Sequence, residues 1–494
     1  MQQVNDLKVN TKLNFLNVAL THTLTVSPHA TALIDGESSL TYQQLYDNAL
    51  RIAREFNDAG LVAGQRLALD SARSGELYLM VVACLLSGIS FISVPNSMTS
   101  LQKYQFAAHT KCAAICSFSA ELSELSSIKI REWHLWLIPM GEVHAQRHND
   151  EVYCVRTSGT TGDPKLVPIC VAQLSAFLLN IHHEITVTEG INWSWIHDLS
   201  FDFSIWEIFG ALTHSGCLVV ISEQAKRDPA LALEILKQSH VHLLSTTPSE
   251  FRYLFSGQTP NLFDQLVLKT VVFCGEKLTA ETLRPLLPKL VERQVRLINT
   301  YGPSEATVFC SSYTISIDDL SYNVIPIGKP FHDMNFSLQE KGEDGSGDLL
   351  LQGSQVFSGY EGRERLLDGH ITGDICRCDR NGVWHYIGRK EGYYKINGFR
   401  VDPLEIEEFL QSVPGVCEAV VWLEEAGTAP SLIKACVNIM PGVNLTTRDL
   451  RIACAEMSPW LRPARYFITN QNEWPMNSRG KTDREEIKRK NYGL

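Results

Sequence analysis

Four short stretches carry residue types able to do chemistry. The run Thr157-Ser158-Gly159-Thr160-Thr161-Gly162-Asp163-Pro164-Lys165 sets hydroxyls and glycines before a lysine. Small residues let backbone N–H groups approach an anion closely, so this loop suits phosphate oxygens. Taken alone it also reads as a surface turn, and it lacks the Gly-x-x-x-x-Gly-Lys-Ser/Thr spacing of a Walker A loop. The second stretch, Asn299-Thr300-Tyr301-Gly302-Pro303-Ser304-Glu305, follows an apolar run over 295–298. That places it beyond a strand's carboxyl end, the crevice where open α/β sheets bind ligands. Tyr301 offers a stacking face there, and Glu305 a hard oxygen for a cation such as Mg²⁺. The plain alternative is a Gly-Pro turn with an exposed acid. Third come Thr372-Gly373-Asp374 and Gly388-Arg389, where Asp374 could accept two ribose hydroxyls and Arg389 reinforce the contact. Last is Asn477-Ser478-Arg479-Gly480-Lys481, near the end of the chain. A lysine so placed is ordinarily just solvated, and it would serve a site only if the terminal domain moved.

The elements that must position these groups alternate. Amphipathic spacing predicts a helix over 40–57 with Thr41 as N-cap. Strands over 66–70, 91–94 and 113–116 surround a helix over 76–87. The rhythm returns with strands over 217–221, 242–246, 268–273 and 296–298, and helices over 229–238 and 280–292. Strands alternating with helices indicate a mainly parallel, doubly wound sheet. The apolar stretch 77–94 approaches the length of a membrane span, but its serines and its change to β-branched residues near Ile89 favour a buried helix running into a buried strand. From about residue 323, short strands and Gly-rich turns indicate a small barrel-like subdomain. A helix over 402–412, strands over 417–422 and 433–439, and a helix over 447–456 make a separate α+β unit. The expected domains are therefore 1–388 and 389–494.

Composition narrows the classes. The 494 residues include 44% hydrophobic and 20% charged, which excludes a disordered chain, a coiled coil and a collagen-like fibre. The net charge of −11 argues against nucleic acid or an anionic membrane as the main partner. The 13 scattered cysteines form no CxxC pair, so free thiols in a reducing cytoplasm are expected, without a signal peptide at the polar start.

In order and spacing these stretches, together with Leu40-Thr41-Tyr42, Gly275-Glu276 and Ser200-Phe201-Asp202-Phe203-Ser204-Ile205-Trp206-Glu207, resemble the adenylate-forming superfamily of acyl-CoA synthetases, luciferases and peptide-synthetase adenylation domains. The likeness runs over nearly the whole chain. It is nearest to stand-alone amino-acid adenylation domains, whose aspartate-bearing motif the Asp202 segment resembles. The resemblance implies a large N-terminal domain of doubly wound sheets and a small mobile C-terminal domain. It also implies a two-step reaction with ATP and Mg²⁺: a carboxylate attacks the α-phosphate, and a thiol then takes the acyl group. Such chemistry needs no protein nucleophile, only positioning and charge stabilisation. By this likeness Lys481, Glu305 and Thr160 are catalytic, with Glu305 on the metal. Thr157, Ser158, Gly159, Thr161, Gly162 and Lys165 hold the β- and γ-phosphates. Gly275, Glu276, Asn299, Tyr301 and Gly302 line the adenine site, and Asp374 with Arg389 the ribose.

The same resemblance implies a substrate pocket of Asp202, Phe203, Trp206, Glu250, Val272, Cys274, Thr300, Val308 and Phe309. Asp202 would pair with the substrate's α-ammonium, since a carboxylate in an apolar pocket needs a cation; a helix N-cap ahead of 204–211 is the alternative. Glu250, as a second acid, suggests a side chain bearing an amine or hydroxyls, with a solvent-facing acid at the start of a helix over 249–255 as the equal alternative, and Trp206 with Phe309 would limit its length. The expected substrate is a short basic or hydroxylated amino acid, 2,4-diaminobutyrate or threonine. Because the sequence given ends soon after Lys481, the acceptor is expected in trans, the phosphopantetheine thiol of a free-standing carrier protein, with CoA as alternative and the enzyme a monomer. An acyl- or aryl-CoA ligase is the competing reading.

Overall fold

The structure is a computed structural model that describes residues 14–70, 72–95, 98–118, 127–138, 150–157, 165–255, 259–389, 394–396, 399–401, 403–424, 432–440, 442–470, 474–475 and 482–491. It divides into two compact units, residues 1–156 with 166–390, and 157–165 with 391–494.

The first unit holds two large sheets. One runs in the order Ser127–Ile130, Trp133–Leu137, Ala114–Ser117, Arg66–Asp70, Ser90–Val94, Glu151–Thr157, Lys165–Cys170. Its centre is parallel, with Arg66–Asp70 between Ala114–Ser117 and Ser90–Val94. Local chemistry explains the elements. Thr41 caps the helix Tyr42–Asp58 in a full capping box with Gln44. Helix Gly75–Ser87 ends on Gly88 in the left-handed region, φ 69°, and the chain enters strand Ser90–Val94, so the apolar stretch is a buried helix and strand. No helix among the described residues is long and apolar enough to cross a membrane.

The second sheet positions the site. Its order is Lys329–Pro330, Ser311–Ile315, Arg296–Tyr301, Thr270–Phe273, Leu243–Thr246, Asn192–Trp195, Cys217–Val220, Thr31–Asp35, Ser38–Thr41. The strands from Arg296–Tyr301 to Thr31–Asp35 are parallel, so their carboxyl ends share one edge. One expected element is corrected. The helix anticipated over 280–292 is two, Ala280–Leu283 and Leu287–Glu292. Pro285 lacks the N–H a continuous helix would need and restricts the residue before it. The subdomain that follows is a four-stranded antiparallel sheet of Met334–Gln339, Gly347–Gly353, His370–Cys378 and Trp384–Arg389.

The second unit has its own core, including Val401, Ile406, Leu410, Val421 and Val437. Its sheet consists of Val416–Glu424, Leu432–Ile439 and Arg465–Asn470. Glu407 on helix Pro403–Ser412 takes a two-pronged contact from Arg484 at 2.9 and 2.5 Å and accepts the Val421 N–H at 2.7 Å.

Candidate active site

The carboxyl edge of the second sheet collects most of the expected residues. Strand Arg296–Tyr301 delivers Asn299, Thr300 and Tyr301; its neighbour Thr270–Phe273 delivers Val272 and leads to Cys274, Gly275 and Glu276. The Tyr301 hydroxyl donates to Asp374 Oδ2 at 2.6 Å, so the two residues expected at adenine and ribose stand together. Both are buried. Asp374 pairs across the antiparallel ladder with Arg389, which fixes the backbone of that arginine beside it. Asn299 turns its amide to the carbonyl of Pro326 at 2.8 Å, and Glu276 accepts the Ser249 N–H at 2.9 Å. Gly275 sits at φ 90°, a conformation in which a β-carbon would be strained.

Glu305 occupies a single turn, Ser304–Ala306, and is 2% exposed. The Tyr360 hydroxyl donates to its Oε1 at 2.6 Å, and His370 Nε2 lies 4.0 Å from Oε2. The segment after it is strained: Thr307 and Val308, both β-branched, have φ of 58° and 70°. Gln355 holds it there. Its amide donates to the carbonyls of Ala306 at 3.0 Å and Phe309 at 2.9 Å, while Asn180 donates to its Oε1 at 2.8 Å. A β-carbon on Gly302 would come 2.4 Å from Phe309 Cα, so only glycine lets the loop close upon itself. A buried carboxylate oriented by a phenol is a hard-oxygen donor of the kind Mg²⁺ takes alongside substrate phosphates, so Glu305 fits the expected metal. Among the described residues no cluster of three or more His, Cys, Asp or Glu could hold a metal by itself.

Asp202 stands at the N-cap position of helix Phe203–Thr213, yet its side chain makes no capping hydrogen bond. It is 7% exposed. Capping therefore does not account for this carboxylate. Phe203, Trp206 and Phe309 are fully buried, with ring centroids 5.5 Å apart for Trp206–Phe309 and 6.3 Å for Phe203–Phe309. The Trp206 indole donates to Ser245 Oγ at 3.0 Å. Val272, Cys274, Thr300 and Val308 are buried as well.

Glu250 requires a correction. Its carboxylate does not wait for a cationic substrate: Lys226 Nζ lies 2.5 Å from Oε1 and His197 Nε2 2.8 Å from Oε2. Burial would raise its pKa, but Lys226 and His197 outweigh burial and hold it far below the carboxylate range. The inference from a second acid to a basic side chain loses its premise. Sequence reading missed Lys226, His197, Gln355 and Tyr360. Glu207 inside an otherwise apolar helix was the available clue, because a charge there demands partners.

Thr157 ends one strand and Lys165 begins the next, with the Thr157 hydroxyl donating to the Lys165 carbonyl at 3.4 Å. Ser158, Gly159, Thr160, Thr161, Gly162 and Lys481 lie outside the described residues.

Comparison with known proteins shows the family and the fold. Residues 20–361 match the family described as AMP-binding enzyme. Syringomycin synthase SyrB1 from Pseudomonas syringae pv. syringae is 30% identical over 93% of this chain and 79% of its own. The D-alanine--D-alanyl carrier protein ligase of Staphylococcus epidermidis is 28% identical over 96% of this chain and 98% of its own. Other curated relatives are large synthases of which this chain spans 5% to 21%. The solved structure of holo-PA1221, a protein containing adenylation and PCP domains, superposes with a TM-score of 0.80 at 23% identity, covering 97% of this chain and 86% of that one. The chain belongs to the AMP-binding enzyme family, the adenylate-forming ligases.

Proposed function

We propose that this chain activates an α-amino acid as its aminoacyl-adenylate and passes the aminoacyl group to the phosphopantetheine thiol of a carrier protein acting in trans, as a monomer in the cytoplasm. Asp202 carries the reading. A buried carboxylate that follows Phe201, precedes Phe203 and does not cap the helix it begins is suited to one substrate α-ammonium. The likeness to a D-alanine carrier protein ligase along almost its full length supports the carrier as acceptor.

In the first step the substrate carboxylate oxygen attacks the α-phosphorus of ATP, and the bond to pyrophosphate breaks. Glu305 would hold Mg²⁺, which offsets the charge of the phosphates, with Tyr360 fixing the carboxylate's orientation. Asp374, already bonded to Tyr301, would accept from the ribose while the tyrosine ring flanks adenine. The 157–165 loop would cradle the β- and γ-phosphates, and Lys481 of the second unit would neutralise charge between carboxylate and phosphate. In the second step a thiolate attacks the acyl carbon and AMP leaves.

The test is exchange of labelled pyrophosphate into ATP across a panel of amino acids and their analogues without the α-amine. Exchange with amino acids alone is the expected result. Exchange only with the amine-free acids would overturn the reading in favour of a CoA ligase.

A further inference from the structure

Three neighbouring strands of the second sheet send one titratable group each to a shared, partly buried cluster. Lys226 lies on helix Glu223–Arg227 after strand Cys217–Val220, His197 follows strand Asn192–Trp195, and Glu250 lies on helix Pro248–Leu254 after strand Leu243–Thr246. Helix Phe203–Thr213, which Asp202 precedes, adds Glu207. The contacts form a chain. Glu207 Oε1 lies 3.1 Å from His197 Nδ1; the other imidazole nitrogen meets Glu250 Oε2 at 2.8 Å; Glu250 Oε1 meets Lys226 at 2.5 Å. Glu207 also accepts the backbone N–H groups of Ile196 at 3.0 Å and His197 at 3.1 Å. The Thr247 N–H donates to Glu250 Oε2 at 3.2 Å. The imidazole lies against Phe203 and Phe201, centroids 4.7 and 5.3 Å away, the two rings that bracket Asp202.

With His197 protonated, two carboxylates, one ammonium and one imidazolium would sum to zero charge. Both oxygens of Glu250 are occupied, so an incoming substrate ammonium would have to displace Lys226 from a half-buried pair and leave a charge unmatched. We propose that Lys226 and His197 are specificity-determining counter-ions: they neutralise Glu250 and thereby restrict the pocket to amino acids with a small, uncharged side chain, leaving Asp202 as the one carboxylate that recruits substrate. Smallness rests on Phe309, whose ring packs against both Phe203 and Trp206 and would narrow the room for a longer side chain. Burial lowers the pKa of His197, but the flanking carboxylates of Glu207 and Glu250 outweigh it and raise the group above its ordinary value. This inference rests on the amino-acid reading proposed above and names the substrate class for it.

The experiment is pyrophosphate exchange with glycine, alanine, serine, threonine, 2,4-diaminobutyrate and ornithine, for the wild-type enzyme, Lys226→Met, Lys226→Arg and the Lys226→Met/Glu250→Gln double variant. Wild type is expected to favour the uncharged set by at least about tenfold in kcat/KM. Lys226→Met unmasks Glu250 and should move that ratio by about tenfold or more toward the diamino acids. Lys226→Arg keeps the charge and the original ratio; the double variant removes the acid and should abolish the shift, which a merely structural role for Lys226 would not produce. A wild type that prefers 2,4-diaminobutyrate, or a folded Lys226→Met with an unchanged ratio, overturns the proposal while leaving amino-acid activation intact. No exchange with any amino acid overturns both.

Discussion

Glu305 combines deep burial, a phenol on one oxygen and a strained backbone immediately after it. Each feature fixes the carboxylate before substrate arrives, which is how electrostatic catalysis avoids reorganisation. Glu305→Gln should lower pyrophosphate exchange by about 3 kcal/mol, roughly a hundredfold. Tyr360→Phe should act more mildly, raising the Mg²⁺ concentration needed for half-maximal exchange. Gln355 meets the cost of the backbone strain through two carbonyls and Asn180. Its replacement by alanine leaves buried acceptors unmet and should destabilise the fold by about 1–3 kcal/mol, read as a lower midpoint in urea at an unchanged slope. Glu305, Tyr301 and Asp374 could be singled out as candidates because each sits in a short stretch of chemistry-bearing residues, and the structure brings Tyr301 and Asp374 together. Tyr360 and Gln355 were not, since nothing in spacing couples either to residues some fifty positions earlier in the chain.

At the level of elements, the cluster of Lys226, His197, Glu250 and Glu207 ties together the loops beyond three strands. Its pH behaviour follows from two opposite shifts. Glu250 is held below its ordinary 4.5, so its contribution is present above that pH and is lost as pH falls. His197 is held above its ordinary 6.5, so its contribution is complete below 6.5 and is lost as pH rises through the folded value. The Tm difference between wild type and His197→Gln should therefore be largest between about pH 4.5 and 6.5 and shrink in alkaline buffer; a constant difference would show that the imidazolium charge plays no part. The alternation of strand and helix, the Thr41 cap and the buried run through Gly88 could be read directly from periodicity and cap chemistry. The break at Pro285 was missed because apolar spacing continued across it while the missing N–H did not permit one helix. The family resemblance placed Glu250 at a pocket position but could not show its partners Lys226 and His197, which follow other strands.

At the scale of the whole molecule, the groups proposed to act are divided between two units, with Asp202, Glu305, Tyr301 and Asp374 in one and Lys481 in the other. We expect Lys481 to serve a single half-reaction. Lys481→Ala should sharply reduce adenylate formation yet spare thioester formation from a supplied aminoacyl-adenylate; equal loss of both would contradict the assignment. The central claim concerns the α-amine. It is tested most directly by exchange kinetics with one small amino acid and the same acid lacking its α-amine, in the wild type and in Asp202→Asn. Strong preference for the amine in the wild type, largely lost in Asp202→Asn through a raised KM for the acid, is the expected result. Equal use of both acids by the wild type would contradict it.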